Sequence, residues 1–205
     1  RVDSLLAASI ADRVFPGASA AAGYPNATVL MTAQGTYTYD DARPVTPQTR
    51  YDLASLTKVI ATTTAIMILT ERDEIELDAP VARYVPEFGQ AGKENVTVRQ
   101  MMTHSAGLTA FRPFHVQGFT TAEQVYDTIY ATPLQYEPDT KTVYSDWGMM
   151  VLLRAIESVT AIPFDEWATA NIFEPLGMDA TGYIHVDSPD TTAVPTEIDG
   201  TRGLV

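Results

Sequence analysis

Ser55 and Lys58 stand three positions apart in Asp52-Leu53-Ala54-Ser55-Leu56-Thr57-Lys58, at the mouth of a long apolar segment. On a helix that spacing puts both side chains on one face, one turn apart. A lysine amine within hydrogen-bond reach of a serine hydroxyl can activate it as a nucleophile. The positive end of the helix would favour the alkoxide and lower the lysine pKa. The pairing is unique here: Gln90 stands three residues before Lys93, and Pro138 three before Lys141. Such a nucleophile needs a proton shuttle beside it. The cysteine count of zero removes a thiol nucleophile, thiolate metal sites and disulfides together. His104, His115 and His185 lie far apart with no metal-ligand spacing, so neither a metal nor a cofactor is called for. His104, near the end of a capped helix, reads as a structural residue rather than a base.

Tyrosine is the better shuttle, because a nearby ammonium lowers the pKa of a phenol. Three tyrosines have a suitable setting. Tyr24-Pro25-Asn26 gives Tyr-x-Asn literally, whereas Tyr39-Asp40-Asp41 and Tyr144-Ser145-Asp146 give it with aspartate third. The first two sit at turns, where Pro, Asn and Asp have a local explanation. Tyr144 leads from a loop into an apolar helix, which favours it, with a buried anchor and a plain Asp146 N-cap as the alternatives.

The elements that must position these groups can be read from the pattern. Val2, Leu5, Leu6, Ile10 and Val14 predict a helix stopped at Pro16-Gly17. Ala18–Ala22, Thr28–Ala33 and Thr36–Tyr39 predict a three-stranded antiparallel meander. Val59–Leu69 is apolar on every side, which predicts a buried helix. Leu77, Val81 and Tyr84-Val85 suggest a short helix ended by Pro86. Thr97 and Gln100 form a capping box, with a stop at Gly107. Further helices start at Thr120-Thr121, near Asp146, where Asp146 could serve as the cap, and at Pro163. This divides the chain into 1–50 (helix plus strands), 51–186 (a helical lobe carrying the site) and 187–205 (loop), within one domain over 1–205. A formal charge of −13, with 45% apolar and 19% charged residues, indicates a globular protein and argues against nucleic acid or anionic membrane surfaces as partners. No segment is long and uninterrupted enough to span a membrane.

Together with Thr97–Leu108, Tyr144-Ser145-Asp146 and Glu174-Pro175-Leu176-Gly177-Met178, the Ser55–Lys58 motif resembles the serine β-lactamase and penicillin-binding-protein superfamily. The resemblance is strongest to its class C-like members, family VIII-type esterases and D-aminopeptidase-type relatives. It implies an α+β, β-lactamase/transpeptidase-like fold: a helical lobe packed against an antiparallel sheet whose C-terminal strands are missing here. It also implies a serine hydrolase acting through a Ser55 acyl-enzyme on a β-lactam, a small ester or a D-amino-acid peptide. Lys58 would be proton acceptor and electrostatic partner, Tyr144 general base, and Asp146 a substrate-binding residue where many relatives carry asparagine. A carboxylate there would add negative charge beside Lys58 and cannot donate an amide hydrogen bond. The family's third motif, Lys-Thr-Gly or His-x-Gly, is absent, since Lys141-Thr142-Val143 lacks the glycine. The expectation is therefore the N-terminal part of a longer enzyme, with a catalytically silent binding module retaining the cleft as the alternative. Self-association, or pairing with the missing C-terminal part, would cover an open strand edge. The resemblance favours a bacterial periplasmic or secreted location over a cytoplasmic one.

Overall fold

Short alternating runs around Pro25-Asn26 close into a hairpin: β1 (Gly17–Tyr24) pairs antiparallel with β2 (Ala27–Gly35), Gly17 opposite Gly35, with a bulge at Ala22/Gly23. The computed structural model describes residues 1–184, 192–196, 198–199 and 203–204. The chain divides into two compact units, Arg1–Leu53 with Ile184–Val205, and Ala54–Tyr183.

In the first unit α1 (Val2–Ala11) is tied to β2 by Gln34, which donates to the Asp3 carbonyl at 3.0 Å, and by a short Thr32–Asp3 contact. No residue of α1 is buried. The expected third strand at Thr36–Tyr39 does not form. Thr36 makes one bridge to Pro44, and the backbone N–H groups of Asp40 and Asp41 donate to the Thr38 hydroxyl. That threonine offers the backbone a local turn in place of a ladder. Between 187 and 205, read as loop, β3 (Ile198–Asp199) pairs antiparallel with β4 (Gly203–Leu204); His185 lies outside the described residues.

The second unit holds the core. Among the described residues every fully buried apolar side chain except Val45 belongs to it, including Ile66, Leu69, Phe88, Met101, Trp147, Leu152, Ile156 and Trp167. Lys58–Thr63 winds in wide i→i+5 turns and continues as α2 (Thr64–Glu71). The expectation of burial all round is corrected: Ala61, Ala65, Ile66 and Leu69 are buried, but Val59 and Met67 are more than 60% exposed. Helices of this unit cover one side of α2 only.

The predicted short helix near Val81 is two single 3₁₀ turns, Val81–Arg83 and Pro86–Phe88, separated by Tyr84 and Val85. Thr97 and Gln100 do form a reciprocal capping box on α3 (Val98–Met102). That helix ends before Gly107, with His104 in the left-handed region (φ 57°). Thr121 caps α4 (Ala122–Ala131). Ser145, not Asp146, is the N-cap of α5 (Asp146–Thr160), although its bond from Gly148 N–H is long at 3.5 Å. Pro163 precedes α6 (Phe164–Ala168), which runs on through wider turns to Phe173.

Candidate active site

The turn before α2 presents Ser55 to solvent. Thr57 N–H donates to the Ala54 carbonyl and Lys58 N–H to the Ser55 carbonyl, with Ala54 held at φ 44°. A non-glycine residue in that region carries strain, and such strain gathers at functional turns. The wide turns that follow are themselves frequent at functional sites. One turn on, Lys58 Nζ donates to Ser55 Oγ at 3.1 Å, so the spacing read from sequence is realised as a contact. The ammonium is largely enclosed, with 17% of its side chain exposed, and pairs with Asp146 Oδ1 at 2.8 Å. It also lies 5.2 Å from the centre of the Tyr144 ring.

These partners reverse one expectation. Burial works to lower the Lys58 pKa, but hydrogen bonding and charge from Asp146, with Tyr144 adding in the same direction, outweigh it and hold the pKa above 10.5. The depressed lysine pKa expected from the helix terminus is thus absent, because a carboxylate stabilises the ammonium. Lys58 is a cation that donates to Ser55, not a free amine that accepts from it.

Tyr144 and Asp146 reach Lys58 because the segment 103–110 acts as a template for 135–146. Gln135 N–H donates to the Gly107 carbonyl at 2.7 Å, Asp139 N–H to Ser105, Val143 N–H to His104, and Asp146 N–H to Ala110, each at 2.9 Å. Ser145 Oγ donates to the Thr109 carbonyl at 2.7 Å. Asp139 receives Ser105 Oγ and Gln100 Nε2, and these bonds keep its carboxyl below the ordinary range. Gly107 is required twice over: its φ is +82°, and a Cβ there would lie 2.2 Å from the Tyr136 carbonyl oxygen.

The structure therefore brings Ser55, Lys58, Tyr144 and Asp146 together through Lys58. Tyr24 and Tyr39 belong to the first unit, where the Tyr39 hydroxyl donates to the Arg13 carbonyl at 2.7 Å. The negative charge expected beside Lys58 from Asp146 is realised as an ion pair. Sequence reasoning missed that it holds the Lys58 pKa up, and missed the template role of Ser105, Gly107 and Asp139. The run Thr103-His104-Ser105-Ala106-Gly107-Leu108 was the available signal. Among the described residues no cluster of His, Asp or Glu could hold a metal ion, and no single helix is long and apolar enough to cross a membrane.

Comparison with known proteins places this geometry. A class C β-lactamase structure superposes over 100% of this chain and 55% of its own length, with a TM-score of 0.82 at 21% identity. The octameric penicillin-binding protein homologue from Pyrococcus abyssi covers 100% of this chain and 49% of its own, with a TM-score of 0.80 at 26% identity. The fold is thus β-lactamase/transpeptidase-like. A Salmonella agona protein named "Putative D-alanyl-D-alanine carboxypeptidase" is 34% identical over 190 residues, 79% of this chain and 44% of the relative. The chain accordingly spans less than half the length of the curated relatives it matches. The Beta-lactamase family model matches residues 2–201. With the motif residues assembled in that fold and the match running almost end to end, the chain belongs to the Beta-lactamase family.

Proposed function

We propose that the protein is a serine hydrolase that forms an acyl-enzyme at Ser55 on an ester or amide: a β-lactam, a small ester or a D-amino-acid peptide. The observation that carries this reading is the hydrogen bond from Lys58 Nζ to Ser55 Oγ beside Tyr144. Ser55 Oγ attacks the carbonyl carbon of the substrate, and the C=O electron pair moves onto oxygen. Lys58, held as an ammonium by Asp146, stabilises the developing alkoxide. A cation already donating to Ser55 Oγ is poorly placed to take its proton. We therefore assign that proton to Tyr144 acting as its phenolate beside the Lys58 ammonium. It becomes a phenol on taking the proton, and returns to phenolate as it gives the proton to the leaving group when the tetrahedral intermediate collapses. Water then releases the acyl group by the reverse proton path.

The test is covalent. A fluorescent penicillin and a p-nitrophenyl ester should each leave an acyl mass on the peptide containing Ser55, and Ser55→Ala should abolish both adducts. Absence of any adduct at Ser55 on the whole gene product would overturn the proposal. A second reading, a non-catalytic binding module that keeps the cleft, applies to these 205 residues taken alone, which carry neither Lys-Thr-Gly nor His-x-Gly. Turnover abolished by Ser55→Ala excludes that reading. We also propose self-association, since one neighbour in fold is octameric, and a periplasmic or secreted location. Sedimentation and cell fractionation test these two.

A further inference from the structure

His104 is the residue around which the Tyr144 segment is folded. Its carbonyl accepts from Val143 N–H at 2.9 Å, and its Nδ1 accepts from Ser145 N–H at 3.1 Å. Its ring lies against the Tyr144 ring, centroids 4.6 Å apart and planes inclined by 41°. The residues on both sides of Tyr144 are thus bonded to one histidine, which also braces the phenol between them. The backbone adds a second argument. His104 sits just past the end of α3 at φ 57°, a position where glycine is usual. A histidine there bears a conformational cost that its side-chain contacts offset.

We propose that His104 is a positioning residue for Tyr144, clamping Val143 and Ser145 so that the phenol faces Lys58. The proposal rests on the acyl-enzyme reading only for its kinetic consequence; the clamp itself is a statement about hydrogen bonds. It fixes the tautomer. Nδ1 must carry a lone pair to accept from Ser145, so in the neutral ring the proton is on Nε2. Protonation of Nδ1 would set a donor against the Ser145 N–H and release the segment.

The charged groups acting on the ring are Lys58 and Asp146, and Tyr144 covers its face; Asp139 is occupied by Gln100 and Ser105. Burial, then the Lys58 charge, lower the His104 pKa below 6.5, against a smaller opposing effect of Asp146. Neutral solution therefore holds the accepting form. The clamp is present above pH 6.5 and lost as pH falls through the lowered value.

Two substitutions separate the clamp from general folding. His104→Asn keeps an acceptor atom at the δ position, tolerates the left-handed backbone and does not titrate. His104→Gly suits the backbone better still but has no acceptor. Amide hydrogen exchange at Ser145 and the rate of Ser55 acylation are followed against pH for the whole chain.

In the parent protein we expect protection of the Ser145 amide and the acylation rate to collapse together on the acid side. His104→Asn should keep Ser145 protected, remove that acid step from the exchange profile, and retain acylation to within about tenfold. His104→Gly should lose Ser145 protection at every pH and slow acylation about a hundredfold, mainly in kcat, as expected of a misplaced catalytic group. Protection of Ser145 surviving in His104→Gly, or an acid step persisting in His104→Asn, would overturn the proposal. If the parent protein acylates nothing, the hydrolase reading falls, while Ser145 exchange still decides the clamp.

Discussion

Two lysines of the same unit are withdrawn from water and answer in opposite directions. Lys58 meets a carboxylate, and its pKa is raised. Lys93 is fully buried and donates to two carbonyl oxygens, Tyr130 at 2.8 Å and Thr132 at 2.7 Å, where α4 ends. Its pKa is lowered by burial, with only Glu94 acting the other way. The contrast shows that burial alone does not decide a lysine's role; the charge of its partner does. Lys93 serves as a cap for the carbonyls of Tyr130, in the last turn of α4, and of Thr132, just past it, at the negative end of the helix dipole. Lys58 serves as a fixed positive charge beside a hydroxyl.

Exchanging function for stability is the sharpest way to break this contrast. Lys58→Met should slow acylation of Ser55 by about a thousandfold or more, measured by adduct formation, with a smaller fall in melting temperature than Lys93→Met. Lys93→Met should do the reverse. It leaves the Tyr130 and Thr132 carbonyls without donors at a cost of about 2–4 kcal/mol by denaturant unfolding, yet spares Ser55 labelling in the folded fraction.

The third prediction concerns pH. The Lys58 contribution to stability is complete below 10.5 and lost as pH rises through its raised folded value; that of Lys93 is complete above 10.5 and lost as pH falls through its lowered one. Asp146→Asn should therefore move the alkaline limb of acylation to lower pH and remove the alkaline loss of stability. Lys93→Met should remove the gain seen on approaching pH 10.5. The smallest effect is expected from Glu94→Gln, which removes the one charge supporting Lys93 and should lower the melting temperature by no more than about 2 °C.

The same contrast marks what the sequence could reveal. Ser55 and Lys58 were legible because local spacing fixes their geometry, and the Thr97–Gln100 capping box was legible for the same reason. The Asp146 charge beside Lys58 was legible only through the resemblance, since no local spacing joins positions so far apart in the chain, and its reversal of the pKa expected from the helix alone was not legible at all. Lys93 gave no sign of burial, because its partners are backbone carbonyls, which every residue possesses. Thr36–Tyr39 looked like a strand by β propensity, and one threonine hydroxyl turned it. Val59 and Met67 fit a buried pattern yet lie open, since periodicity reports what a helix could cover and not what covers it.

The template made by residues 103–110 has a kinetic consequence. Its bonds join positions 28 to 41 residues apart along the chain, so each must wait for a loop containing all of α4 to close. The Ser55–Lys58 contact needs only one helical turn and can arise on the sub-microsecond scale of helix formation. Refolding should therefore form the Ser55–Lys58 contact before it brings Tyr144 beside it. A chain stalled between these stages would have a recognisable core and a Ser55 still slow to acylate. In a stopped-flow experiment, recovery of acylation should lag behind recovery of helical signal.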